Sequence, residues 1–190
     1  MRSELFQYVL FYKPFGVLSQ FTKELESDIT LSSFGPFPKN VYPVGRLDKD
    51  SEGLLLITND NKLKHFLTNP KYEKPKTYLV QVEGVLSKTE VEKLNSGVII
   101  EGSKTKKAKV VVLKKAPLVP ERIPPIRFRK NIPTTWLQVI LCEGRNRQIR
   151  KMTARVGHPT LRIIRTSIGN IFIGNMKPGE SRIISKNNII

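Results

Sequence analysis

The stretch GRLDKDSEGLLLITND, Gly45 to Asp60, places four carboxylates in sixteen residues and then runs into five nearly uninterrupted apolar positions. The run GLLLIT is too short for a buried helix and is bounded by polar turns, which predicts a strand covered on both faces. It leaves through Asn59-Asp60-Asn61 into a short helix, KLKHFLT. Upstream, YVLFYKP is a strand of aromatic and β-branched residues that stops at Pro14. The four acids fall in different settings. Asp48 precedes the apolar strand, Asp50 and Glu52 flank a serine in a polar turn, and Asp60 lies in the turn after the strand. A carboxylate that does chemistry belongs in a cleft beside a cation that keeps it ionised. Asp48, on a loop that enters a rigid strand, fits best, but spacing alone leaves Asp50 open.

Downstream the elements alternate. KTYLVQVEG puts Tyr78, Val80 and Val82 on one face and Thr77, Leu79 and Gln81 on the other. SKTEVEKLNSG has Ser87 and Glu90 at capping-box spacing and a glycine stop at Gly97. AKVVVLKK and TTWLQVILCEG read as strands, TLRIIRTSIG as another, and IFIGNMKPGESRII as one more. Between the first two lie residues 116–133, a proline-rich basic segment with Arg122, Arg127, Arg129 and Lys130, read as a stiff loop outside the sheet. GRNRQIRKMTARVGHP is a helix closed by Gly157 and Pro159. Its spacing sets Ile149, Met152 and Val156 on a packing side and Arg147, Lys151 and Arg155 on a phosphate-facing side, with Arg150 near the border. The whole is an α+β pattern with no internal repeat and no linker, so residues 1–190 read as a single domain.

Charge is unevenly divided. Residues 1–101 hold 13 Lys and Arg against 13 Asp and Glu, whereas residues 102–190 hold 20 against 3, so the net charge of +17 comes from the second half. That asymmetry points to a polyanion, nucleic acid above all. No apolar run approaches the ~18 residues of a membrane span, and no signal-peptide pattern opens the chain, which reads as cytoplasmic. Cys142 is the only cysteine and reads as a small buried hydrophobe in a strand. His65 and His158 read as structural or RNA-contacting groups. Phosphate-loop, dinucleotide, zinc-hydrolase and serine-hydrolase motifs are absent, so carboxylate, phenol and guanidinium groups are left to carry any chemistry.

GRLDKDSEGLLLITND resembles the GRLD motif of pseudouridine synthases of the RsuA/RluB/E/F group, and KTYLVQVEG, EGRNRQIRKM and TLRIIRTSIG follow in that family's order. KPFGVLSQFT and the long block from PPIRFRKN to TLRIIR resemble the E branch of that group, which acts on large-subunit rRNA. The resemblance implies a mixed, mainly antiparallel sheet flanked by helices, with two lobes around a basic cleft and no S4 domain. It implies isomerisation of a specific uridine of 23S rRNA, without cofactor or metal, by a chain expected to be a monomer.

By position, Asp48 would act at the ribose, Tyr78 would stack under the uracil, and Arg150 would pair with Asp48. Ile163 would pack against the base. Arg46, Arg145, Arg147, Gln148 and Arg165 would help to bind the substrate. Arg147 stands where sister subfamilies carry His, as expected of the E branch. A non-catalytic rRNA-binding or ribosome-assembly protein on the same scaffold is the alternative. It would explain the charge equally well but has no need of an acid inside a basic groove. A glycosylase or ribonuclease would use a carboxylate too, with nothing else in its favour.

Overall fold

The computed structural model describes residues 5–126 and 132–189. Arg127, Arg129 and Lys130 of the proline-rich segment lie outside the described residues. The first half of the chain forms β1 (Tyr8–Lys13), β2 (Tyr42–Pro43), β3 (Glu52–Thr58), α1 (Asn61–Thr68), β4 (Lys76–Glu83) and α2 (Lys88–Ser96). There follow β5 (Ile99–Ile100), β6 (Ser103–Lys104), β7 (Lys109–Val112), β8 (Thr134–Leu141), α3 (Gln148–Arg155), β9 (Thr160–Ile168), β10 (Ile171–Phe172) and β11 (Ser181–Ile183).

Among the described residues nine of these strands share one sheet, in the order β11-β1-β3-β9-β4-β8-β7, with β2 on β3 and β10 on β9. All its pairings are antiparallel except β3 with β9, whose ladder is limited to Glu52–Ile164 and Gly53–Arg165. That short parallel contact joins the two antiparallel halves, which are the lobes. Gly53 makes it possible. Its φ of +104° lies in the region that disfavours side chains, and a Cβ there would meet the Arg165 backbone nitrogen at 2.6 Å and its carbonyl oxygen closer still.

Both faces of the sheet are covered, which is why GLLLIT is continuously apolar rather than alternating. Leu54, Leu56, Leu10, Tyr12 and Ile164 pack on one face with Leu63 and Leu67 of α1 and with Met176 and Ile189. On the other face of the β1–β3 half, Val9, Phe11, Leu55 and Ile57 pack with Leu31, Val41 and the rings of Phe34 and Phe37. On the same side of the other lobe, Val80, Val82, Leu137, Val139 and Ile163 meet Leu94 of α2 and Ile149 and Met152 of α3. The expected split of β4 into two faces holds, since Leu79 packs into the first cluster and Val80 and Val82 into the last. The capping box of α2 is formed, with Ser87 Oγ accepting from Glu90 N–H and the Glu90 carboxylate accepting from Ser87 N–H.

Three local expectations are corrected, and Asp60, in the turn where it was expected, proves to be buried. Glu52 is not a turn acid; it lies in β3, buried, with both carboxylate oxygens held at 2.7 Å by Arg162. Asp60 is buried at the start of α1, where it accepts from Leu63 N–H and Tyr8 Oη. Burial alone would raise its carboxyl, but these bonds and Lys186 outweigh it and hold the group below the usual carboxylate range. Cys142 lies one residue past β8 and is half-buried. The C-terminal segment is two short strands, β10 and β11, on different partners, because the turns between them carry the chain from β9 to β1.

The proline-rich segment is outside the sheet as expected, but its described part is anchored. Val119 packs on the core, Pro120 carbonyl accepts from Arg162 at 2.8 Å, and the Arg122 guanidinium lies 4.3 Å from the Phe15 ring centre. Among the described residues no helix is long and apolar enough to cross a membrane.

Candidate active site

Where β3 and β9 meet, a cleft of about 540 Å³ opens, lined by the loop around Asp48, the end of α1, the first residues of β4, the β8–α3 turn and β9. Eight of the nine residues singled out from the sequence line it: Arg46, Asp48, Tyr78, Arg145, Arg147, Gln148, Ile163 and Arg165. Arg150 does not.

The loop that carries Asp48 is held from several sides. Ser19 Oγ donates to Leu47 carbonyl at 2.8 Å and accepts from Leu47 N–H at 3.0 Å. Lys49 carbonyl accepts from Gly16 N–H at 2.8 Å and from the buried ammonium of Lys13 at 3.4 Å. Asp48 carbonyl accepts from Ser51 N–H at 3.0 Å, which closes the turn into β3. The backbone is thereby fixed while the Asp48 side chain stays 36% exposed at the cleft.

The cation beside Asp48 is Arg147, with Nη1 at 3.6 Å from Oδ2. This corrects the expected pairing with Arg150. Arg147 is the residue just before α3, in a left-handed conformation with φ +49°, and its guanidinium lies against the loop. There it also grips Asp50 in a two-pronged bond, at 3.0 and 2.8 Å. Arg150, one turn into the helix, reaches the Asp50 carbonyl at 2.8 Å and its carboxylate at 3.3 Å, so it ties down the loop beside Asp48. Burial raises the Asp50 carboxyl, and the Arg147 bond with the charges of Arg150 and Arg147 outweighs this and holds it low.

The floor of the cleft comes from β4 and β9. Tyr78 stands opposite Arg165 in the register, just after a shift between Thr77 and Tyr78 that interrupts the regular ladder. Ile163 is buried beside them. Arg165 is 4% exposed; its Nε donates to Leu54 carbonyl at 2.8 Å, and its Nη2 is buried without a hydrogen-bond partner among the described residues. An orphaned guanidinium N–H on a cleft wall is a donor left for a ligand.

Other expected substrate binders are otherwise engaged. Arg145 donates to Ile100 carbonyl and Ser103 Oγ at 3.0 and 2.6 Å, fastening the β5–β6 hairpin. Buried Gln148 accepts from Arg145 N–H and donates to Glu143 at 2.6 Å, shaping the β8–α3 turn. Lys151, on the stripe expected to face phosphate, is paired with Glu101 at 2.6 Å. His158 is structural, bonded to Glu83 carbonyl and Glu90.

Sequence reasoning missed Lys13 and Lys76. Lys13 is fully buried, and its ammonium also donates to the carbonyls of Pro14 and Val17 at 2.9 and 2.7 Å. Burial lowers it from its ordinary range to about 7, partly opposed by Glu52, Asp50 and Asp48. The signal was a lysine ending an apolar strand. Lys76 lines the cleft two residues before Tyr78.

A family model described as RNA pseudouridylate synthase matches residues 7–155. The ribosomal large subunit pseudouridine synthase E of Vibrio parahaemolyticus is 51% identical over 172 residues, 90% of this chain and 71% of that protein. The E synthase of Xanthomonas campestris is 48% identical over 176 residues, 92% of this chain and 94% of that protein. The large subunit pseudouridine synthase B of Bacillus subtilis is 33% identical over 182 residues, 96% of this chain and 69% of that protein. A crystal structure of a pseudouridylate synthase superposes with a TM-score of 0.81 at 25% identity, covering 100% of this chain and 74% of that one. With its motifs, fold and cleft in agreement with these matches, the chain belongs to the RNA pseudouridylate synthase family, whose members are isomerases.

Proposed function

We propose that this chain isomerises a specific uridine of large-subunit (23S) rRNA to pseudouridine, with Asp48 as the catalytic carboxylate. The observation that carries the reading is the meeting of Asp48, Tyr78, Ile163 and Arg165, from three separate chain segments, on the walls of one cleft. The large-subunit assignment rests on the two E synthases it resembles at about half identity.

The reaction breaks the N1–C1′ bond, turns the base, joins C5 to C1′, releases the C5 proton to solvent and returns a proton to N1. It therefore asks for a carboxylate at the sugar and a flat, partly apolar seat for the detached uracil. Asp48, on its clamped loop, meets C1′ as a nucleophile or removes the neighbouring C2′ proton. Tyr78 and Ile163 hold the ring from either side, and the free Arg165 N–H is available to an acceptor on the base or sugar. Arg147 keeps positive charge beside Asp48. Pulling the uridine out of its stack costs a few kcal/mol, offset by phosphate contacts and stacking. The reading carries with it a single catalytic domain acting as a monomer in the cytoplasm.

The test is tritium release from rRNA labelled at C5 of uridine. Asp48→Asn abolishes release and leaves RNA affinity within about twofold, because the substitution keeps shape and removes only the reactive charge. Release retained in that variant overturns the assignment.

A further inference from the structure

Counted by half-chain, the first 101 residues are neutral. The folded protein divides the charge differently. Seven carboxylates of the first half are taken up by cationic or titratable partners of the second: Asp48 and Asp50 by Arg147, Glu52 by Arg162, Asp60 by Lys186, Glu73 by Lys106, Glu90 by His158 and Glu101 by Lys151. The cations of α3 are thereby largely spent inside the molecule. The lysines of the first half that once balanced those acids are left over.

Five of them, Lys62, Lys64, Lys71, Lys74 and Lys76, fall within fifteen residues along α1 and the turn that leads to β4. Among the described residues none has a carboxylate within ion-pair distance. The one acid of this stretch, Glu73, and Asp60 just before it do not compete. Asp60 is buried, and Glu73 is paired with Lys106 at 2.6 Å. The segment is also the rim of the cleft, since Leu67, Thr68, Pro70 and Lys76 line it. Aromatic rings lie between the charges: Lys64 sits over exposed Tyr42, Lys74 lies 3.9 Å from the centre of the Phe66 ring, and exposed Tyr72 packs against Phe66 and His65. Free lysines alternating with half-exposed rings along a cleft edge suit a strand whose backbone is anionic and whose bases stack.

We infer that the α1 rim is a second RNA-docking surface, on which Lys62, Lys64, Lys71 and Lys74 hold the phosphodiester backbone of the strand that leaves the cleft. This rests on the reading of the chain as an rRNA-modifying enzyme. The rim acts on binding and orientation rather than on chemistry.

The test is Lys62→Gln, Lys71→Gln, Lys74→Gln in one chain, compared with Lys88→Gln, Lys93→Gln on α2 as a charge-loss control. Affinity for an rRNA fragment is measured as a function of salt, separately from tritium release. The rim variant binds about tenfold more weakly and its log–log salt slope falls by about 2 to 3, three phosphate contacts at ~0.7 to 0.9 each. Its KM rises while kcat stays within about twofold, and the α2 control is unchanged. An unaltered slope, or an equal loss in the α2 control, overturns the rim as an RNA surface. A wild-type chain that binds the fragment but releases no tritium contradicts the proposed activity, while the salt slopes still decide the role of the rim.

Discussion

Arg162 holds both carboxylate oxygens of Glu52 at 2.7 Å, 110 residues away in sequence, with both groups almost wholly buried. The pair sits where β3 meets β9, and Arg162 uses a further bond to keep Pro120 of the proline-rich segment on the same spot. It therefore fastens the junction of the lobes and the root of that segment with one side chain.

Removing one partner strands the other. Glu52→Gln is expected to destabilise the protein by about 3 to 5 kcal/mol, because Arg162 keeps its charge while buried without its carboxylate partner. Glu52→Leu with Arg162→Met recovers most of that loss, since two apolar groups of similar volume need no solvation. Urea unfolding of the three chains checks both statements; an equal loss in the single and double variants contradicts them.

Gly53→Ala is expected to cost at least about 2 kcal/mol, as an unfavourable φ and a collision with the Arg165 backbone act together. Because the displaced atoms belong to a residue on the cleft wall, activity falls beyond what the unfolded fraction explains. A chain with normal stability or a normal specific activity per folded molecule contradicts this.

Lys13 links proton binding to stability. Burial brings its ammonium down to about 7 in the folded protein from an ordinary 10.5. Between these values the unfolded chain holds a proton that the folded chain has released, so stability rises with pH across that window. Below about 7 both states hold the proton, and the cost of burying charge is present in full. Urea unfolding at pH 6 and pH 9 should show the wild type gaining on Lys13→Met as pH rises. Parallel curves contradict the assignment.

What the sequence revealed depended on how local its cause was. The α2 capping box and the two faces of β4 were legible because their determinants lie within a few residues. Glu52 read as a turn acid because the residue that makes its burial possible, Arg162, is remote in the chain. Asp48 was assigned the wrong cation for a similar reason. Helical spacing put Arg147 and Arg150 on one element, but Arg147 is the left-handed residue just before α3, and both reach the loop, Arg147 at Asp48 and Asp50 and Arg150 at Asp50 alone. Half-chain charge counts say nothing of who pairs with whom, so the unpaired lysines along α1 could not be read from them.

The strand order also sets the order in which the enzyme comes into being. β9 (Thr160–Ile168) lies between β3 (Glu52–Thr58) and β4 (Lys76–Glu83), although both are synthesised long before it. Until residues 160–168 have been made, β3 and β4 each present an open edge, and Asp48 and Tyr78 belong to separate, unjoined pieces. Closing the gap requires non-local pairings, the slow kind. A nascent chain therefore carries its reactive carboxylate without a pocket to use it in, and the open edges of β3 and β4 are its points of risk for mispairing until the central strand is threaded.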